Sequence, residues 1–282
     1  MRKELIYVHM AVLLFGLSGL FGKWLALPAH YIVLGRVFFG ALFLLLILLI
    51  LKKTLRLPRL VDYLPFILIG GVLAIHWGSF FHSIQISTVA IGLVTFATFP
   101  VFASVLEPIF FKETFQKRSF VLAIITLFGV VLLIPEFDFS NNLTQGAVWG
   151  LISAVTFAVL SMLNRKYVQH HSSLKIGFYQ NVFAFFWLLP IAYATPKIQF
   201  TMMDISLLVL LGVVFTGGAH VFFIQGLRKM NVRTASIIAS LEPVYGIIAA
   251  AFLLQEIPQI REWIGIVIIL CAAIYASIPK KI

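Results

Sequence analysis

Charge is scarce in this sequence. Only 11% of its 282 residues are Asp, Glu, Lys or Arg, against about a quarter in an ordinary soluble domain. That poverty excludes a water-soluble enzyme, a disordered chain and a small disulfide scaffold. There is one cysteine, Cys271, inside an apolar run, so an intrachain disulfide and a cysteine-based metal site are excluded as well. No two histidines fall at HxxxH spacing, and no zinc motif, phosphate-cradling loop, paired-carboxylate site or Ser/His/Asp set rises above chance. Neither catalysis nor a metal or other cofactor is expected. Acids are scarcer than bases, 10 against 21, for a net charge of +11. A surplus of that sign would suit nucleic acid, but the basic residues sit in short clusters between apolar runs and not along one face. Clusters of this kind orient a membrane protein, so the expected partner is a lipid bilayer and not nucleic acid.

Hydrophobic residues, in contrast, make up 61% of the chain, and the mean hydropathy is +1.06. They fall in long runs. A spanning helix needs about 20 mainly apolar residues, because ~30 Å of hydrocarbon is crossed at 1.5 Å per residue. Ten segments meet this description: Leu5–Leu25, Tyr31–Leu51, Tyr63–Ile84, Thr88–Phe111, Ser119–Ile134, Ala147–Leu163, Leu174–Ala194, Ile205–Leu227, Val232–Leu254 and Trp263–Ile278. Short connections hold the breakers, such as Leu27-Pro28, Leu57-Pro58, Ser140-Asn141-Asn142, Thr195-Pro196 and Ile257-Pro258. The third and fourth runs are almost continuous. With the N-terminus in the cytoplasm, 17 of the 21 basic residues fall on the inner side. The outer loops instead carry Glu136, Asp138, Asp204, Glu256 and Glu262. This bias predicts a multi-pass protein of the cytoplasmic (inner) membrane with both termini inside. The first run is too long for a signal h-region, and Gly22-Lys23-Trp24 is no cleavage site, so it is expected to be retained. No transit peptide or lipidation motif is evident.

The chain also carries an internal repeat. Shifted by 143 residues without gaps, Ser83–Ile134 lies over Gly226–Ser277. Val89 then meets Val232, Pro100-Val101 meets Pro243-Val244, Glu113 meets Glu256, Gln116 meets Gln259 and Arg118 meets Arg261. One residue more aligns His76 with His220. Five spans per half is an odd number, so the halves, residues 1–140 and 141–282, are expected in opposite orientation. Inverted halves can exchange shapes, and a site at their seam can then open to either side. The expected fold is therefore all-α: ten transmembrane helices in two inverted five-helix repeats around a central cavity.

These residues resemble the EamA-type family of the drug/metabolite transporter superfamily. The resemblance rests on the ten runs, on ASLEPVYGIIAAAFLLQE at Ala239–Glu256, on TFPVFASVLEPIFFKE at Thr98–Glu113 and on LGRVFFGALF at Leu34–Phe43. It implies a carrier of small organic metabolites, often an exporter of amino acids or related compounds. One departure is visible. Phe99-Pro100 stands where the second half has Glu242-Pro243, and Glu107-Pro108 comes seven residues later.

Several residues inside the runs are candidates for a substrate site. Pro100 and Pro243 break their spans near the middle, and paired midplane breaks point to a site; the plainer alternative is a kink that serves packing. Glu242 lies on a small-residue face with Ala235, Ala239, Gly246 and Ala249. It would hold a proton or a substrate ammonium, or else be a structural acid bonded to a neighbouring span. His76 and His220 could relay protons or simply bond helix carbonyls. Arg36 could bind a carboxylate or snorkel outward, and snorkelling is the first reading of Lys23. Trp77, Phe99, Tyr179 and Tyr245 are candidate walls of an apolar cavity. Gln225, like Gln180 and Asn181, needs a polar partner in lipid. Gly70-Gly71 and Gly217-Gly218 are expected to let helices approach closely. The expected partner is a small zwitterionic or neutral solute, with a proton as the candidate coupling ion, carried by a monomer or homodimer. A channel would need a continuous polar pore, and an intramembrane enzyme a catalytic constellation.

Overall fold

The computed structural model of the chain describes residues 2–112, 117–133, 138–230 and 232–277. The repeat residues Glu113 and Gln116, the outer-loop Glu136 and the C-terminal Lys280 and Lys281 lie outside the described residues. Among the described residues the regular structure is helical throughout. The helices are α1 (Arg2–Ser18), α2 (Phe21–Trp24), α3 (Ala29–Ile50), α4 (Leu64–Ile86), α5 (Val89–Phe96), α6 (Phe99–Phe111) and α7 (Lys117–Leu133). They continue with α8 (Asn142–Tyr167), α9 (Ser173–Ala194), α10 (Met202–Gly212), α11 (Ala219–Gly226), α12 (Val232–Ala239), α13 (Glu242–Leu253) and α14 (Ile260–Ser277). A π-helical turn, Val213–Gly218, joins α10 to α11.

Among the described residues, seven helical stretches are long and apolar enough to cross a membrane: Lys3–Trp24, Ala29–Ile50, Leu60–Ile86, Val89–Phe111, Asn142–Tyr167, Ser173–Ala194 and Met202–Gly226. The fold is thus an all-α, multi-pass membrane fold. Its outward faces carry large apolar side chains such as Ile50, 77% exposed, and Phe252, 83% exposed. Such a surface is expensive in water and neutral in lipid. Hydroxyl and amide side chains start several spans. Thr88 caps α5, Asn141 caps α8, Ser172 caps α9, and Thr201 with Asp204 forms a capping box on α10. Each satisfies an N–H that the helix itself leaves open.

Two regions share a pattern. An eight-residue helix (α5, α12) stops and restarts two residues later as a longer one (α6, α13). Pro100 and Pro243 occupy the first turn of the restarted helix. There the missing N–H removes no intrahelical bond, so each proline starts a half-helix rather than straining a continuous one. Hydroxyls bond carbonyls on either side of the first break: Thr98 Oγ1 donates to Thr95 O at 2.7 Å and Ser104 Oγ to Val101 O at 2.8 Å. The longer helices end on Lys112 and next to Gln255, both left-handed, with φ of 56° and 57°.

In the core, α4 packs against α8 and α9, α1 against α11 and α13, and α5 against α8 and α13. Close approach is set by glycine. A Cβ on Gly16 of α1 would lie 2.6 Å from the Glu242 carbonyl oxygen. One on Gly212 would lie 2.5 Å from Phe39 Cβ and 2.9 Å from the Arg36 carbonyl. These contacts bring α13 and α10 onto the helices that carry the polar core.

Candidate functional site

Apolar helices seldom bury charge without reason, and here four titratable side chains meet in the middle of the bundle. Arg36, two turns into α3, is 1% exposed. It does not snorkel. Its Nε donates to Thr216 Oγ1 at 2.9 Å, its Nη2 to the Phe215 carbonyl at 3.4 Å, and its Nη1 has no partner. The guanidinium lies over Trp77, 3.6 Å from the ring centroid. The π-helical turn presents Thr216 to it, and Thr216 Oγ1 itself donates to the Leu211 carbonyl at 2.8 Å. Turns of this type widen a helix locally and recur at functional sites.

Trp77 bridges Arg36 to His220, whose ring lies edge-on at 4.5 Å. His220 Nδ1 accepts from Gln180 Nε2 at 3.2 Å, while His220 Nε2 and Gln180 Oε1 are unpartnered. In the same cavity as His220, His76 Nδ1 sits 2.9 Å from Ser153 Oγ and 3.1 Å from the Ser153 carbonyl. Its ring packs against Phe157 and Phe96. Glu242 opens α13 and is 3% exposed, with Oε2 unpartnered. A carboxylate is favoured at such a helix start. Glu242 is not among the hydrogen-bond partners of Arg36, which are Thr216 and Phe215. Phe99, at the matching start of α6, stacks on Phe96 and meets Phe157 edge-on.

A small cavity joins His76, Trp77, His220 and Glu242 with Phe15 and Ser18 of α1. Its free space is ≈ 10 Å³, about that of one water-sized sphere. The site is closed. A much larger cavity, ≈ 870 Å³, opens between α4, α8 and α9. Gln85 Nε2 donates to the Leu27 carbonyl, His30 meets Thr195 and Trp187 Nε1 donates to the Ile67 carbonyl, while His82 lies edge-on to Trp149. It offers a solute mainly apolar surface, whereas the buried Glu242 and both buried histidines line the small cavity, which is therefore the candidate site.

Of the residues singled out in the sequence, the structure brings together Arg36, His76, Trp77, Phe99, His220 and Glu242, with Pro100 and Pro243 at the adjoining breaks. Tyr179 lies elsewhere. Its hydroxyl donates to the Leu55 carbonyl and its ring packs against Tyr63 and Phe66. Gln225 accepts from Ser173 Oγ at 3.1 Å at that same end of the bundle. Tyr245 is half-buried beside α1 and does not line the cavity. Sequence reasoning passed over Thr216, Ser153, Phe15 and Phe157. The repeat held a signal for the last two, because a register one residue shorter than 143 sets Phe15 on Phe157.

A family model described as the EamA-like transporter family matches residues 2–134 and again residues 144–278. The chain belongs to that family. It is a membrane transporter of small molecules, not an enzyme. An uncharacterized transporter of Bacillus subtilis, YxxF, is 26% identical over 94% of this chain and 86% of its own length. The S-adenosylmethionine uptake transporter of Rickettsia bellii is 26% identical over 82% and 77%. The pseudopaline exporter CntI of Pseudomonas aeruginosa is 25% identical over 90% and 88%. One solved crystal structure shares the fold with a TM-score of 0.72, covering 97% of this chain and 96% of that one at 18% identity.

Proposed function

We propose that this family member moves a small amino-acid-like metabolite across the cytoplasmic membrane by alternating access, in the direction of export. The observation that carries the reading is the pair of incompletely bonded ionisable groups in the closed centre, Arg36 Nη1 and Glu242 Oε2. A buried ion left with unmet hydrogen bonds is costly, and a zwitterion would relieve both at once. Its carboxylate would take Arg36, its ammonium Glu242, and its apolar part the rings of Trp77 and Phe99. When the site is empty, Glu242 would carry the coupling proton.

The two halves, residues 1–140 and 141–282, are proposed as inverted five-helix repeats. The doubled family match supports this. So do the breaks before Pro100 and Pro243, and the left-handed residues Lys112 and Gln255, which are 143 positions apart. The running sense agrees: α5 begins where α13 ends, since Val89 N–H donates to Glu256 Oε2 at 2.9 Å, and α12 begins near the end of α6. Lys229, Arg228 and Arg165 gather at the end where α1 starts; with the basic-residue bias they support that end as cytoplasmic. The outward direction is that of the exporter among the relatives, while the S-adenosylmethionine relative works inward, so the vesicle comparison below decides it.

Counterflow tests the proposal. Purified protein in liposomes preloaded with an unlabelled α-amino acid should take up the same labelled compound saturably. Right-side-out against inside-out vesicles read the direction. Absence of saturable counterflow for every α-amino acid would overturn the solute class, and flux that never saturates would favour a channel.

A further inference from the structure

We propose that Glu107 and Glu256 are paired latches that hold the cavity shut, one at each end of the bundle, and that solute movement requires them to open in turn. The inference rests on the alternating-access reading above and adds the residues that gate it.

The two ends are built alike. At the basic end, Glu107 of α6 is buried, and its Oε1 accepts from Arg165 Nη1 at 2.5 Å and from Val232 N–H at 3.3 Å. Val232 is the first residue of α12, so the helix provides no acceptor for that N–H. The Arg165 guanidinium also lies over Phe111, 4.5 Å from the ring centroid. At the opposite end, Glu256 Oε2 accepts from the N–H of Val89 at 2.9 Å, and Val89 is the first residue of α5. Its Oε1 faces Lys23 Nζ at 3.8 Å, and that amine donates to the Ser87 carbonyl at 2.7 Å.

Each latch therefore joins three parts: a carboxylate, the leading N–H of an eight-residue half-helix, and a cation from a neighbouring span. Val89 and Val232 are partners in the 143-residue register, and Lys23 and Arg165 are partners one residue off it. In both cases the carboxylate comes from one half of the chain and the other two parts come from the other half. Breaking one latch frees the seam at that end only. Both are made here, and the cavity between them has room for about one water. The carboxylates are not equivalent in sequence, and the latches differ in strength. Side-chain exposure is 27% for Arg165 and 3% for Glu107, against 26% for both Lys23 and Glu256. An exposed, long ion pair contributes little, while loss of a partner from a buried one is felt strongly. The Glu256 latch is the weaker.

The test needs no solute. Ser18, which lines the closed cavity, is made a reporter by Ser18→Cys in a Cys271→Ser chain, and Lys52→Cys marks the basic end. Sealed right-side-out and inside-out vesicles are treated with a membrane-impermeant maleimide. Glu107→Gln should raise reporter labelling from the basic-end side by about tenfold or more. Glu256→Gln should raise it from the other side by about twofold to fivefold. Arg165→Gln and Lys23→Gln remove the same pairs from the cationic side and should reproduce the two directions if either carboxylate variant fails to fold. Labelling unchanged by all four variants, or raised from the same side at both ends, would overturn the latches and leave alternating access standing. Simultaneous labelling from both sides in the parent chain would overturn alternating access and the latches with it.

Discussion

Arg36→Met separates a functional charge from a structural one. The variant loses a charge-assisted bond to Thr216 Oγ1, about 1.5–3 kcal/mol. It also loses a desolvated contact over Trp77, about 2 kcal/mol. Against this stands the burial of a guanidinium at 1% exposure with Nη1 unpartnered, which costs several kcal/mol. Methionine follows the same path with little change in packing, a cost under ~1.5 kcal/mol. Thr216 is not stranded, because its hydroxyl still donates to the Leu211 carbonyl. Arg36 and Glu242 share no direct ion pair, so no bonded carboxylate is orphaned. The terms nearly cancel, and the melting temperature in detergent should stay within a few degrees of the parent or rise. Solute binding should behave otherwise. Losing the charged partner of a buried carboxylate costs about 2–5 kcal/mol, or ~30-fold to several thousand-fold in affinity. Thermal unfolding and counterflow on the same preparation decide it. A variant that melts far below the parent while its counterflow per folded molecule is intact would make Arg36 a structural residue and refute the argument.

Three further variants probe the same centre, and a fourth, at Tyr179, probes the basic end. Thr216→Val keeps the shape but removes the acceptor for Arg36 Nε; it should lower stability by about 1.5–3 kcal/mol and raise the counterflow KM, read by thermal unfolding and flux. Gly16→Val drives a side chain into the Glu242 carbonyl, 2.6 Å from the new Cβ, and should cost about 1–3 kcal/mol in the same unfolding assay. Tyr179→Phe loses the bond to the Leu55 carbonyl, about 0.5–1.5 kcal/mol of stability. Because Tyr179 lies at the basic end, the KM should be unchanged. Glu242→Gln should remove acceleration by an imposed pH gradient and weaken solute affinity by ~10-fold or more; flux that still follows the gradient would dismiss Glu242 as the proton carrier.

Helix positions were legible wherever apolar length decides them. The run read as Tyr31–Leu51 is the helix Ala29–Ile50, and Leu174–Ala194 is Ser173–Ala194. The nearly continuous third and fourth runs are separated by Ser87 and Thr88, where Thr88 Oγ1 accepts the Ile91 N–H; hydropathy does not register a hydroxyl cap. Arg36, His76, Trp77, His220 and Glu242 could be found because intramembrane charge is rare enough to stand out. Tyr179 and Gln225 could not be placed by the same reasoning, since residue type says nothing of depth along the span. The π-helical turn at Val213–Gly218 has no apolar signature, and with it Thr216, the principal partner of Arg36, went unnoticed. Lys23 reads as a snorkelling side chain until the fold brings Ser87 and Glu256 beside it. That pairing joins residues from the two ends of the chain and is a property of tertiary structure alone.

The repeat explains the frame of the site better than its content. Half-helices start at Phe99 and Glu242 in matching positions, each one residue ahead of a proline. A helix start is a place of partial positive charge, and only the second half puts a carboxylate there. The first half puts a phenyl ring, stacked on Phe96 and closed over by Phe157. Likewise the two histidines have unlike neighbours: His76 is held by Ser153, and His220 by Gln180 and the edge of Trp77. Arg36 has no counterpart charge in the described core of the second half. On the proposed reading of two inverted halves, a symmetric frame would suit an alternating-access cycle by keeping its two open states close in energy, with the unequal latches setting the remaining difference. A symmetric site would suit only a symmetric solute. An acid and an aromatic wall line one small cavity, with the Arg36 cation against the Trp77 ring beside it; on the proposed reading these three unlike groups would meet the three unlike ends of an α-amino acid with an apolar side chain.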